Sequence, residues 1–120
     1  PHGPVEPVAD AGEVAGAFSD SWKIHVPDAS VGGLLVHFNL TGAQAGLPPT
    51  ARLFVVFRDP AGGLMGQATL GLGGDGDAVH WRYGPSSVIQ AGDYVLEATA
   101  ADTGLPSGGL ARYEVYLGAL

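Results

Sequence analysis

Arg52-Leu-Phe-Val-Val-Phe-Arg-Asp-Pro60 is a strand followed by a turn, and it is apolar on both of its faces. Side chains alternate along an extended chain, so Leu53, Val55 and Phe57 point one way and Phe54 and Val56 the other. An outer strand of a two-layer domain normally offers water a polar face. This segment does not, and its second face therefore predicts a cover, drawn either from the same chain or from a neighbouring molecule.

The flanking sequence repeats the alternation. Trp22, Ile24 and Val26 share a side in WKIHV, with Lys23 and His25 opposite. Leu34, Val36, Phe38 and Leu40 share a side in LLVHFNL, with Leu35, His37 and Asn39 opposite. A weaker, Gly-rich strand runs over residues 64–72. Val79, Trp81 and Tyr83 alternate with His80 and Arg82, and Tyr94, Leu96 and Ala98 with Val95, Glu97 and Thr99. Ala111, Tyr113, Val115 and Leu117 alternate with Arg112, Glu114 and Tyr116. The chain carries 20 Gly and 9 Pro, spread so that no helical period survives. Seven such runs with turn residues between them predict an all-β, antiparallel β-sandwich, jelly-roll-like, of seven to eight strands; periodicity alone leaves a closed barrel open. Leu35 shares the anomaly of Phe54 and Val56, which predicts that the uncovered apolar surface belongs to one sheet.

Composition narrows the function. The 120 residues suffice for one domain with a real core. Apolar residues make up 46% and charged ones only 14%, with 12 Asp and Glu against 5 Lys and Arg and a net charge of −7. One Lys and four dispersed Arg cannot build a phosphate-neutralising patch, which argues against nucleic acid and anionic membrane surfaces. Cysteine is absent, which removes disulfides, thiolate ligands and thiol nucleophiles. No apolar run approaches the roughly 18 residues of a membrane span, so no membrane insertion is expected. The opening Pro1-His2-Gly3 has the character of a processed terminus, consistent with an extracellular or cell-surface protein after signal-peptide removal.

Residues 1–18, PHGPVEPVADAGEVAGAF, differ in kind: Pro, Gly and Ala dominate, and Val5, Val8 and Val14 are isolated. They divide the chain into an extended N-terminal segment (1–18) and a sandwich domain (19–120). Two expectations follow. The segment is an eighth strand on its own sheet, or it is donated to the open sheet edge of an adjacent copy. The second makes the chain a structural subunit of an extracellular assembly (a filament, pilus or surface layer), a homo-oligomer or polymer in which Val5, Val8 and Val14 meet an apolar surface made of Leu35, Phe54 and Val56.

Four stretches resemble a known family. WKIHVPDASVGGLLVHFNL resembles the opening of the bacterial pre-peptidase C-terminal domain, a strand, a Val-Pro corner, a Gly and an alternating strand. FRDPAGG at 57–63 resembles the strand and turn of those domains and of the related proprotein-convertase P domain. AGDYVLEATA at 91–100 and ARYEVYL at 111–117 are similar to their last two strands. The resemblance covers about residues 18–120 and implies a non-catalytic accessory module on a secreted protein, binding carbohydrate or calcium. The acidic pair the family carries before its central strand is missing where Ala51-Arg52-Leu53-Phe54 stands, so a calcium site does not carry over there.

Candidate chemistries are few. Asp75 and Asp77 place two carboxylates in a Gly-rich turn, a fragment of a calcium loop that lacks the further acidic ligands such a loop needs, and an ordinary solvated hairpin turn competes with it. No other cofactor is implied. His25 and His37 lie on the outward side of consecutive strands and would be neighbours, and a transition-metal pair, if those strands hydrogen-bond to each other; His2 beside the Pro1 amine offers a copper chelate. Asn39-Leu40-Thr41 fits the N-glycosylation acceptor pattern. No nucleophile–base pattern surrounds the serines, and Glu97 and Glu114 read as solvent-facing strand charges, so no enzyme activity is expected. Trp22 and Trp81 read as core, and Tyr116 as a single outward ring.

Overall fold

The computed structural model describes residues 5–14, 17–29, 32–41, 52–71, 78–84, 89–100 and 111–120. Eight strands run through them: β1 (Val8–Val14), β2 (Phe18–Val26), β3 (Leu34–Thr41), β4 (Arg52–Arg58), β5 (Leu64–Gly71), β6 (Ala78–Tyr83), β7 (Gly92–Ala100) and β8 (Ala111–Ala119). They form two four-stranded sheets, in the orders β1-β8-β3-β6 and β2-β7-β4-β5. Every pairing is antiparallel. Successive strands change sheet except at the β4–β5 hairpin, which is the connectivity of a jelly roll.

The predicted inward sets become the core. Ile24, Leu34, Val36, Phe38, Leu53, Val55, Phe57, Leu96 and Leu117 are buried between the sheets. Aromatic rings concentrate at two places. Trp22, Phe38 and Tyr113 lie with centroids 5.3–5.8 Å apart, joined by Phe18 at 5.7 Å from Tyr113. Phe57 stacks on Tyr83 at 5.5 Å and on Tyr94 at 6.0 Å. Their polar ends are satisfied, as burial requires: the Tyr94 hydroxyl donates to the Gln90 carbonyl at 2.8 Å, four residues upstream, in the manner of a tyrosine corner.

Local chemistry closes the hairpin. Asp59 accepts from the backbone N–H groups of Ala61 (2.9 Å) and Gly63 (2.7 Å), an Asx turn reinforced by Asp59 N–H to Gly63 carbonyl at 2.9 Å. Gly62 supplies the positive φ of 87° that this reversal needs. The register slips between Phe57 and Arg58, a bulge that lets β4 turn into the loop.

The structure takes the first of the two expectations for the N-terminal segment, and corrects two others. The N-terminal segment is engaged at home: β1 pairs with β8 of its own chain, from Val8 opposite Leu117 to Val14 opposite Ala111. Val5 and Val14 are buried in this chain's core and Val8 packs against it, because β1 would otherwise leave the β8 edge and the sandwich interior open. With β1 already paired in its own chain, the structure gives no support to strand donation to a neighbour. Nor does the segment cover Phe54 and Val56, since β1 and β4 belong to opposite sheets. Finally, Leu35 lies on the outer face of the β1-β8-β3-β6 sheet and Phe54 on that of the other, so the outward apolar residues are not one surface.

Candidate functional site

Among the described residues, none covers the second face of β4. Phe54 is 50% exposed, the ring of a large apolar residue presented to solvent. Its place is fixed by the ladder: Phe54 is opposite Thr69 on β5 and Thr99 on β7, and Thr99 is opposite Ser19 on β2. The next outward rung reads Gln67, Val56, Glu97 and Ser21. The third brings Arg58, Val95 and Lys23 into line. The outer face of the sheet is therefore an aromatic ring and two valines set among hydroxyl, amide, carboxylate, ammonium and guanidinium groups, with the exposed Leu64 opposite Arg58.

Two shallow depressions occupy this face. One, of about 430 Å³, is bounded by Phe54, Val56, Gln67 and Thr69. The other, of about 340 Å³, is bounded by Ser19, Ser21, Glu97 and Thr99. They flank the β4–β7 pairing, so the Phe54–Thr99 and Val56–Glu97 rungs lie between them. Arg58 reaches Glu97 at 3.9 Å, a long, half-exposed ion pair that leaves most of both groups' hydrogen-bonding capacity available. At the far corner His25 Nδ1 lies 2.8 Å from Asp93, and this bond, with Lys23 nearby, holds the Asp93 carboxyl below the ordinary carboxylate range.

The opposite outer face has its own cluster. His37 on β3 is directly opposite His80 on β6, their rings 4.4 Å apart, and it is also opposite Tyr116 on β8 at 6.1 Å. Tyr116 is 39% exposed and its ring lies over Gly118, in the space a Cβ would take. The His80 Nε2 lies 2.8 Å from Asn39 Oδ1.

The sequence-level candidates distribute as follows. His25 and His37 are not neighbours, because β2 and β3 fall in different sheets; the partner of His37 is His80, which pattern reading passed over. The signal was available in the shared outward phase of the two strands, but the pairing of β3 with β6 was not. Tyr116 has ring company rather than standing alone. Glu97 and Glu114 are on opposite faces of the molecule. Asn39 sits on the outer face beside His80, and the side chain of Thr41 lies outside the described residues, as do Asp75, Asp77 and His2. Among the described residues, no group of three or more His, Cys, Asp or Glu side chains converges as a metal site would require, and no helix is long and apolar enough to cross a membrane.

No protein-family model and no curated protein matches the chain. Solved structures similar to it include a family 35 carbohydrate binding module from Clostridium thermocellum, with a TM-score of 0.47, 11% identity, and 97% of this chain and 92% of that one covered. A CBM4 module gives a TM-score of 0.40 at 13% identity, covering 98% and 89% of the two chains. Dimeric latent PorU from Porphyromonas gingivalis gives 0.40 at 9% identity, with 99% of this chain matched to 13% of that one. At these scores the likeness does not decide a ligand, and it does not extend to the pre-peptidase C-terminal family; the chain is an all-β sandwich of two four-stranded antiparallel sheets.

Proposed function

We propose that this chain is a non-catalytic, extracellular binding module that holds a carbohydrate on the outer face of the β2-β7-β4-β5 sheet. The observation that carries the reading is Phe54, half exposed at the centre of a sheet face and ringed by hydrogen-bonding side chains. A sugar ring has an apolar C–H face and an equatorial rim of hydroxyls. It matches an aromatic platform that takes the C–H face out of water, with donors and acceptors around it that replace the water bonded to the hydroxyls. Thr69, Thr99, Gln67 and Glu97 supply acceptors and donors on both sides of the ring, and the two depressions give room for units on either side of Phe54. A net charge of −7 favours a neutral glycan over an acidic one. Carbohydrate-binding modules are among the similar folds, yet the surface, not that likeness, carries the reading.

The test is a screen of the whole chain against immobilised neutral polysaccharides, followed by calorimetry with a soluble oligosaccharide of the best one. Binding that disappears in Phe54→Ala and weakens in Glu97→Gln and Gln67→Ala supports the assignment. A chain that binds no glycan in the screen, or a Phe54→Ala variant that binds like the parent, overturns it.

A further inference from the structure

We propose that His37 and His80 form a two-histidine site for a borderline transition cation, Zn²⁺ or Cu²⁺, on the face opposite the Phe54 groove. The two residues are direct cross-strand partners on β3 and β6. Side chains so placed have Cβ atoms about 4.5–5.5 Å apart, and the two rings already lie 4.4 Å from each other. An ion bound at about 2.0–2.1 Å to each of two imidazole nitrogens needs them close together on one side, and a cross-strand pair in the same outward phase puts both rings on one side of the sheet. Neutral imidazole is the ligand form, and such cations prefer it.

Three further observations converge on the pair. Asn39 Oδ1 can only accept, so the His80 Nε2 at 2.8 Å must carry the proton it donates. The remaining nitrogen, Nδ1, then keeps its lone pair in the neutral ring. A carbonyl oxygen holding the second N–H of a ligand histidine is the recurrent outer support of such sites, fixing tautomer and orientation. Glu114, opposite Asn39 on β8, places a carboxylate one rung away, and the chain's overall negative charge adds to the attraction for a cation. Tyr116, packed over Gly118 on the other side of His37, limits the imidazole's swing away from His80. Two protein ligands leave the rest of the coordination shell to water.

The experiment is calorimetric titration of the full chain with zinc chloride, together with electron paramagnetic resonance of the chain given one equivalent of Cu²⁺. The expected results are one saturable zinc site, a copper spectrum with nitrogen splitting from two imidazoles, loss of that site in His37→Gln and in His80→Gln, and retention in His25→Gln. Asn39→Leu is expected to weaken zinc binding by about tenfold, the range for loss of an outer support. No saturable zinc binding by the parent chain overturns the proposal. So does undiminished affinity in His80→Gln, which would place the ion elsewhere. Both histidines are on the outer face, and a circular dichroism spectrum matching the parent establishes that each variant has folded.

Discussion

The indole N–H of Trp22 donates to the Asp10 carboxylate at 2.8 Å, and this single bond ties β1 of one sheet to β2 of the other. Asp10 also accepts from the Tyr113 hydroxyl at 3.4 Å, while Asp20 accepts from the same hydroxyl at 3.2 Å. The Trp22 bond, first, and the Ala11 N–H hold the Asp10 carboxyl below its ordinary value of 3.8. A carboxylate whose folded pKa is depressed stabilises the fold above its unfolded pKa, and that contribution is lost as the pH falls through the folded value. Asp10→Asn is therefore expected to lower the melting temperature at neutral pH and to flatten the parent's loss of stability below pH 3.8, measured by thermal denaturation across an acid pH series.

The same cluster responds to alkali. Burial, then the charge of Asp10 and the hydrogen bond to Asp20, push the Tyr113 hydroxyl up to about 12. Tyrosine is neutral below its pKa, and a raised folded value means that stability is fully present below the unfolded value near 10 and lost as the pH climbs towards 12. The parent is expected to lose stability between these limits. Tyr113→Phe should reduce that slope, leaving the part due to Tyr83 and Tyr94, whose hydroxyls burial also raises, while surrendering the Tyr113 hydroxyl's bonds at neutral pH. Denaturant midpoints of the two proteins, compared from neutral to alkaline pH, provide the measurement.

Phe54 and Phe57 stand three residues apart on β4 and face opposite ways, one half exposed and one fully buried. Phe57→Ala leaves a cavity beside Tyr83 and Tyr94 and is expected to cost about 3–5 kcal/mol of stability. Phe54→Ala should change stability by no more than about 0.5 kcal/mol. It should abolish glycan binding. Urea denaturation separates the two, and a large stability loss in Phe54→Ala would assign that ring to packing.

Gly92 opens β7 at a φ of +131°, and a Cβ there would lie 2.7 Å from two ring carbons of Pro60. Both strain the backbone and push on the β4–β5 turn. Gly92→Ala is expected to destabilise by about 1–3 kcal/mol. Gly62→Ala has a positive φ of +87° but open space around it, and should cost less. Comparing the two by chemical denaturation distinguishes crowding from backbone strain.

Much of the fold was legible because alternation reports which side of a strand is dry. The inward sets from Trp22 to Leu117 were assigned from their period alone, and burial follows them strand by strand. Partner choice was not legible, since a strand's phase says nothing about which strand lies beside it. His37 and His80 share the outward phase but are 43 residues apart in sequence, and only the β3–β6 pairing makes them neighbours. Phe54 was singled out as anomalous, and its 50% exposure bears out the anomaly, while the cover expected from its own N-terminal segment is not there because β1 lies in the other sheet. A stranded apolar side chain does not by itself say what lies on it, and here the ladder sets it between Thr69 and Thr99.

The order in which the chain lays down its strands governs when it can fold. Only β4 and β5 meet across a short turn, while Val8 waits for Leu117 and Phe18 for Ala100. Loop closure of that length must be met before pairing repays it, which places such folds among the slow ones. β8 is also an interior strand, clasped by β1 and β3. During synthesis, the sheet bearing the histidine pair cannot be completed until residues through 119 have emerged. Until then β1 and β3 expose unpaired edges, and in β3 that edge belongs to one of the most apolar strands of the chain, so the interval before β8 arrives is the one most open to aggregation.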